Sequence, residues 1–340
     1  ANFEQLNGIS SMKKIYGILG VFTVVFILTA IMSPSFLTPY NMERLILRTS
    51  LFGIISIGVA FVIITSGIDL SIGSIICLIG CGLPWLLVKM TVPLPLAILI
   101  VVTLSLLIGL VHGVLITKLK LQPFVVTLCG LLMYRGITRG FTGDQTQGFG
   151  KFFSELRWIG VGKVAVPGVP IDTFGIPVPF FLLLMVAILA SIFLNRTIYG
   201  RYLLALGCNE QAARYSGINT DRMIILAYII CAAMAGLGGV LFILDGNSAQ
   251  PVVLGNFYEL YAIAAAVLGG CSLRGGQGTI IGVVIGTALM QVLRNMITLV
   301  DWIPTHIEYA VIGAVILAGV VADEVVKRIS ASRRAAASRL

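Results

Sequence analysis

Long, continuously apolar stretches dominate the pattern of hydrophobic and polar positions along this 340-residue chain. They do not alternate with a period of two, as membrane β-strands do, and several approach the ~20 residues that a helix needs to cross a bilayer. Only a helix satisfies its backbone within such a segment in lipid. The prediction is an all-α polytopic membrane protein with about ten transmembrane helices and Gly-rich breaks. The predicted spans are 15–32, 51–66, 72–88, 94–117, 121–134, 178–195, 223–244, 258–273, 279–299 and 307–322.

Composition supports the membrane interpretation. Hydrophobic residues make up 58% of the chain and charged residues only 11%, whereas soluble domains carry about 25% charged residues. These proportions exclude a disordered chain, a coiled coil, a collagen and a nucleic-acid-binding domain. The six cysteines lie in apolar runs or in segments placed on the cytoplasmic side, and the two histidines are far apart. Neither a disulfide framework nor a metal site is therefore expected.

The basic residues predict the orientation of the chain. With ten spans and a cytoplasmic N-terminus at 1–14, 14 of the 23 Lys and Arg residues fall on the inner side, as the positive-inside rule requires. The bias is moderate, so the inverted topology stays an alternative. The basic tail, 323–340, then faces the anionic cytoplasmic leaflet rather than a nucleic acid. The whole chain, 1–340, is predicted to be one transmembrane domain, with a long periplasmic connection at 135–177 that contains a short helix on the membrane surface.

The cytoplasmic connection 196–222 carries the clearest local signals. Asn209 is placed to cap a short helix, 210–215, and Gly217 is placed to end it. Glu210 and Arg214 are four residues apart and can pair on that helix. A short capped helix between two spans suits insertion into a cleft of a cytoplasmic partner. An ordinary tight loop is the alternative.

Two polar, Gly-rich segments interrupt apolar runs. In the first, 65–74, Gly67 and Gly73 permit a break, and Asp69 and Ser71 can cap the helix that resumes. A carboxylate at this depth must be satisfied by backbone N–H groups, a partner or water. Asp69 therefore either caps a helix or lines a polar pathway. The second segment, 268–278, fits re-entrant backbone or close contact between helices.

The outer connection at 245–251 places Asp245 and Asn247 where they could contact a hydrated solute, although a solvated loop explains the same residues. The chain has no GxxxxGK[ST] nucleotide loop, no HExxH and no GxSxG motif. Charged residues within the spans are few for an ion-driven cycle. The sequence thus predicts a transport subunit that is not an enzyme, with any nucleotide chemistry on another chain.

Three motifs resemble those of a known family. Residues 67–74 read GIDLSIGS, which is similar to the GIDLSVGS motif in the membrane subunits of bacterial ABC importers for ribose, xylose, arabinose and related sugars. Residues 207–218 resemble that family's cytoplasmic GxNxxAAxxSGI stretch, and residues 268–278 resemble its LGGxSLxGGxG stretch. The motifs occur in the family's order, and the resemblance covers about 45–325.

The resemblance implies a permease subunit in the bacterial inner membrane, with both termini cytoplasmic, that imports a sugar or sugar-like solute such as autoinducer-2. It implies three protein partners: a second permease, a periplasmic sugar-binding protein, and a cytoplasmic ATPase with two nucleotide-binding modules that bind ATP and Mg²⁺. A secondary transporter or channel for a small polar solute is the alternative function.

The candidate residues form three groups on the sequence. The residues expected to couple the permease to the ATPase are Gly207, Asn209, Glu210, Ala212, Ala213, Arg214, Ser216, Gly217 and Ile218. The residues of the membrane breaks, which are candidates for the translocation path, are Gly67, Asp69, Ser71, Gly73, Gly269, Gly270, Ser272, Gly275 and Gly276. The candidate outer contacts are Asp245 and Asn247.

Overall fold

A computed structural model describes residues 2–300 and, beyond them, residues 304, 307–314, 317, 318 and 321. The predicted span 307–322 lies partly outside the described residues, and the basic tail 323–340 lies outside them entirely. The α-helices are α1 (Asn2–Met32), α2 (Pro39–Ile64), α3 (Ile72–Pro84), α4 (Leu94–Lys118), α5 (Pro123–Thr142), α6 (Ser154–Val161), α7 (Val178–Arg196), α8 (Ile198–Cys208), α9 (Glu210–Tyr215), α10 (Thr220–Gly246), α11 (Tyr258–Leu268) and α12 (Ile280–Leu299). A π-helical turn, Trp85–Lys89, continues α3. The strands are β1 (Gln147–Gly148), β2 (Lys163–Ala165), β3 (Gly175–Pro177) and β4 (Ser248–Ala249).

The all-α prediction agrees with this architecture, but the count of ten spans is not confirmed. Among the described residues, seven helices are long and apolar enough to cross a membrane. α5 is not one of them, and α11 is a shorter apolar helix of 11 residues. At a rise of about 1.5 Å per residue, α11 covers only about half of a bilayer core.

The long helices surround a buried centre formed by α2 and α10. α10 packs against α2, α3 and α4, and α12 packs against α2 and α11. Almost every residue of α2 from Ser50 to Ile64 is buried, which is why this stretch is apolar on all sides rather than on one face. By contrast, α1 and α7 carry many exposed large apolar side chains, as expected of helices that face lipid.

Several predicted boundaries differ from the structure. α2 begins at Pro39 rather than at residue 51, so Arg44 and Arg48, assigned to an outer segment, lie within its first turns. α5 continues to Thr142 instead of ending at 134, so the outer connection begins at Gly143. α8 was not predicted at all. Thr197 caps it by accepting a hydrogen bond from the N–H of Gly200. Threonine is a favoured residue before a helix, so the sequence did carry a signal for α8.

Segments assigned to the same side of the membrane meet at the same end of the bundle. At one end, Lys118, the last residue of α4, pairs with Asp221 at the start of α10. At the other end, Arg44 pairs with Asp245, and Lys163 and the N–H of Gly175 both bind Glu43. These contacts support the order of the spans. We refer to the first as the coupling end and to the second as the outer end.

The outer connection is folded onto its own chain. β1 pairs antiparallel with β4, and β2 pairs antiparallel with β3. The surface helix was predicted near 152–159, and α6 lies there with Trp158 56% exposed. α6 also packs against α10, because Gly160 approaches Leu244 closely. One face of α6 therefore packs against the helix bundle and does not lie on the membrane surface.

The segment that follows β4 returns into the helix bundle, which the sequence did not predict. Its Gly255 meets Gly73 at the start of α3, where a Cβ on either glycine would lie 2.1 Å or less from the other's carbonyl oxygen. Further along α3, Leu254 contacts Gly80. α3 and α11 therefore both begin inside the protein. The irregular segment before α3 enters from the coupling end, and the one before α11 enters from the outer end.

Candidate functional site

Three separate motifs converge at the coupling end. The N–H of Gly276 donates to the carbonyl of Ile64 over 2.9 Å, which joins the second break to the end of α2. Ser66 donates through its hydroxyl to the carbonyls of Arg274 (2.9 Å) and Gly207 (3.3 Å). These bonds satisfy carbonyl groups that helix termini and irregular loops leave unpaired. We call this cluster the junction.

Close backbone packing makes Gly207 essential to the junction. A Cβ at this position would lie 1.8 Å from the carbonyl oxygen of Ile64 and 2.4 Å from the nitrogen of Gly276. No side chain fits such a gap, so the end of α8 can approach the end of α2 only through a glycine.

The short helix α9 leaves the junction with the caps that the sequence indicated. The side-chain oxygen of Asn209 accepts from the N–H of Ala212 at 3.0 Å. Gly217 has a φ of 85° and follows the last turn. Asn219 then caps α10 by accepting from the N–H of Arg222. In both helices an asparagine oxygen thus accepts from a backbone N–H of the first turn, and the turn between the helices is short and fixed.

A network of charges holds α9 against the start of α10. Arg214 donates to Glu210 (3.0 Å), as predicted, and also to Thr220 (2.8 Å) and Asp221 (3.1 Å). Asp221 receives a further bond from Lys118 at 2.8 Å. Exposed pairs are worth little singly, but this network connects α4, α9 and α10. A displacement of α9 is therefore transmitted to two long helices.

Only one residue of α9 is buried. Ala213 is 5% exposed, so it faces its own chain. The other five residues, Glu210, Gln211, Ala212, Arg214 and Tyr215, are exposed, and Tyr215 is the most exposed of the large apolar residues at 92%. A fully exposed aromatic side chain on a fixed helix is a typical anchor for a partner's pocket. Sequence reasoning missed Tyr215, although a large aromatic residue in a cytoplasmic loop was a usable signal.

A cleft of about 630 Å³ lies beside α9. Its walls are the chain from Thr65 to Gly67, Lys120 after α4, Arg214 and Tyr215 on α9, and Tyr228 on α10. The cleft extends from the exposed helix to the first break. The coupling residues and the break residues therefore line one continuous space.

Asp69 lies buried at the first break, with 1% exposure. Its Oδ1 accepts from the N–H (2.9 Å) and the hydroxyl (2.6 Å) of Ser71, the residue before α3. Its Oδ2 has no hydrogen-bond partner among the described residues. The nearby Ile68 carbonyl accepts from the hydroxyls of Tyr228 (3.1 Å) and Thr127 (3.4 Å). The polar groups of the break are thus mostly satisfied inside the protein.

Arg135 holds the re-entrant segment in place. Its Nη1 donates to the carbonyls of Pro251 and Leu254, each over 3.0 Å. These carbonyls are in irregular backbone inside the bundle, where an unpaired group is costly. One guanidinium group therefore fixes the segment that contacts Gly73.

The second break is a tight turn with close helix contact rather than a re-entrant loop. The N–H of Ser272 donates to Gln277, and the N–H of Gly275 donates to Ser272. Gly269 packs against the backbone of Gly282 on α12. Gly270, Gly275 and Gly276 have positive φ values. This break thus supports the junction.

The candidate outer contacts are less available to a solute than the sequence suggested. The Asp245 side chain is 5% exposed and lies 3.1 Å from Arg44 and 3.5 Å from Arg48. The side-chain nitrogen of Asn247 donates to the carbonyl of Gly150 at 3.2 Å. Asp144, by contrast, is exposed, and its pKa is lowered because Arg139 donates hydrogen bonds to its carboxylate.

Comparison with known proteins identifies the family. The family described as "Branched-chain amino acid transport system / permease component" matches residues 41–320, which is most of the chain. The chain belongs to this permease family. No solved structure matches it significantly.

The permease is also similar to curated proteins over nearly its whole length. It is 36% identical to the ribose import permease protein RbsC of Escherichia coli K12, covering 88% of this chain and 90% of that protein. It is 36% identical to the RbsC of Bacillus subtilis, covering 92% and 93%. It is 32% identical to the xylose transport system permease protein XylH of Escherichia coli K12, covering 94% and 95%. These similarities and the seven long apolar helices make the chain a multi-pass membrane permease.

Proposed function

We propose that this permease is the transmembrane subunit of an ABC importer that carries a pentose or a related sugar-like solute into the cytoplasm. The supporting observation is its similarity to ribose and xylose permeases over about nine-tenths of each chain. A separate ATPase with two nucleotide-binding modules binds ATP and Mg²⁺ and supplies the energy. A periplasmic binding protein delivers the solute, and a second permease, identical or paralogous, completes the pathway in the inner membrane.

The geometry of α9 supports its role as the coupling element. It is capped at its start, tied to α10 through Arg214, and exposes Tyr215 and Ala212 for contact. When the ATPase modules close on ATP, α9 moves with the groove that holds it. The junction passes this movement to α2, because Ser66 and Gly276 connect α2 to the loops on either side.

The movement acts on the irregular backbone before α3 and before α11. α3 and α11 begin near the contact between Gly73 and Gly255, and neither glycine lines the cleft beside α9. A shift of α2 against α3 at Asp69 changes that contact. Transport and ATP use are then linked, because both bias the same conformational equilibrium.

Reconstitution tests this function. The permease alone in liposomes should neither hydrolyse ATP nor accumulate ribose or xylose. Adding the ATPase should give ATP turnover, and adding the loaded binding protein outside should give accumulation inside. Uptake that persists without the ATPase and collapses with an ionophore would instead identify a secondary transporter.

A further inference from the structure

A second cavity, of about 480 Å³, lies at the outer end between α2, α11 and α12. Its volume is within the range of small-molecule sites, about 300–1,000 Å³. It is separate from the cleft beside α9, since the two share no lining residue. None of the motif residues lines it.

The wall of this cavity combines an aromatic surface with paired charges. Arg294 lies over the ring of Tyr261, with 4.5 Å from Cζ to the ring centroid, and 5.5 Å from the ring of Phe52. Glu308 accepts from Nε of Arg294 at 2.7 Å. The guanidinium group of this lining residue is thus held rigidly by stacking and by a carboxylate.

Two further polar groups line the cavity. Gln291 is 5% exposed, and its amide can both donate and accept hydrogen bonds. The hydroxyl of Tyr258 can do the same. A hydroxyl group of a ligand can therefore pair with either one. Both groups lie on α11 and α12, close to the aromatic surface.

The charges of the wall are largely compensated. Three arginines face two carboxylates: Arg44 and Arg48 both approach Asp245, and Arg294 is near Glu308. The excess is one positive charge, and the paired arginines can still donate hydrogen bonds to the hydroxyl groups of a solute.

We infer that this outer cavity is a binding site for a neutral polyhydroxylated solute on its way into the permease. Gln291 and Tyr258 bind its hydroxyl groups, and Arg294 donates to a further hydroxyl. The site rests on the proposed sugar-import function and adds a specific contact set to it. It receives the solute at the outer end, beside the start of α11.

Protection from labelling tests the site in the full-length permease. A single cysteine is placed at the exposed mouth position Thr298, in a background without the six native cysteines. In lipid nanodiscs, ribose or xylose should slow its reaction with a maleimide. Q291L and Y258F should each raise the sugar concentration needed for half-protection about two- to twelvefold, the effect of one lost neutral hydrogen bond.

Thr287→Val is the matched control. Thr287 is on the same helix, fully buried, and its hydroxyl bonds only to the Val283 carbonyl. This variant should lower stability slightly and leave the half-protecting concentration unchanged. An equal loss of protection in all three variants would mean general damage to α12 and would overturn the site.

Other outcomes separate this inference from the proposed function. Protection by ribose 5-phosphate but not by ribose or xylose would overturn the neutral class. Normal ATPase-driven uptake without protection, and unchanged in Q291L and Y258F, would remove the site but leave the function. Protection without any ATPase-driven uptake would support the site and contradict the function.

Discussion

Replacing Gly207 with alanine tests the junction most sharply, because the structure leaves no room for a side chain there. The new Cβ would lie 1.8 Å from the Ile64 carbonyl oxygen, well inside contact distance. α8 must then move away from α2, or the bond from Gly276 to Ile64 must break. Loss of that bond costs about 1–3 kcal/mol, and the forced overlap costs about 1–3 kcal/mol.

The expected loss of stability is therefore about 1–3 kcal/mol if only one of these happens and up to about 6 kcal/mol if both do, with the coupling end affected first. The assay is thermal unfolding of the purified permease in detergent, together with co-purification of the ATPase. Gly136→Ala is the matched control, since a Cβ on α5 at that position meets open space. That variant should be neutral or slightly stabilising. Wild-type stability and normal ATPase binding in Gly207→Ala would refute the junction.

Three further predictions follow from other contacts of the structure. Ala212→Arg adds bulk and charge to the exposed face of α9 and should abolish co-purification of the ATPase without lowering stability. Ala213→Arg changes the buried face and should lower protein yield. The reverse pattern would contradict the assigned faces. Asp69→Asn keeps an acceptor for Ser71 and should be mild, while Asp69→Leu should cost about 2–4 kcal/mol in thermal unfolding; loss of transport in a stable Asn variant would show that the acid itself is needed. Arg135→Met should free the segment 251–254, seen as faster labelling of a cysteine at Val253, and unchanged labelling would disprove the clamp.

The sequence predicted the local features because each depends on neighbouring residues. Asn209, Gly217 and the Glu210–Arg214 pair are all within one turn and its caps, and the structure confirms their geometry. Long apolar stretches likewise predicted most of the long helices. Their ends were less certain: α2 was expected to begin 12 residues later than it does, because Arg44 and Arg48 suggested a loop.

What the sequence did not predict depends on contacts between distant segments. No local pattern indicates that Gly207, Ser66 and Gly276 meet, since more than 60 residues separate each from the next. The contact between Gly255 and Gly73 could not be predicted for the same reason. The burial of Ala213 was missed because α9 is too short to show a periodic apolar face.

Sided labelling of α9 tests the central claim, that this permease is driven from the cytoplasm through that helix. Single cysteines are placed at Gln211 on α9 and at Thr146 in the outer connection, both exposed, in the cysteine-free background. A membrane-impermeant maleimide should reach position 211 only from the cytoplasmic side, and the bound ATPase should protect it. Position 146 should react only from the periplasmic side, with or without the ATPase. Labelling of position 211 from the periplasm, or no protection by the ATPase, would contradict coupling through α9.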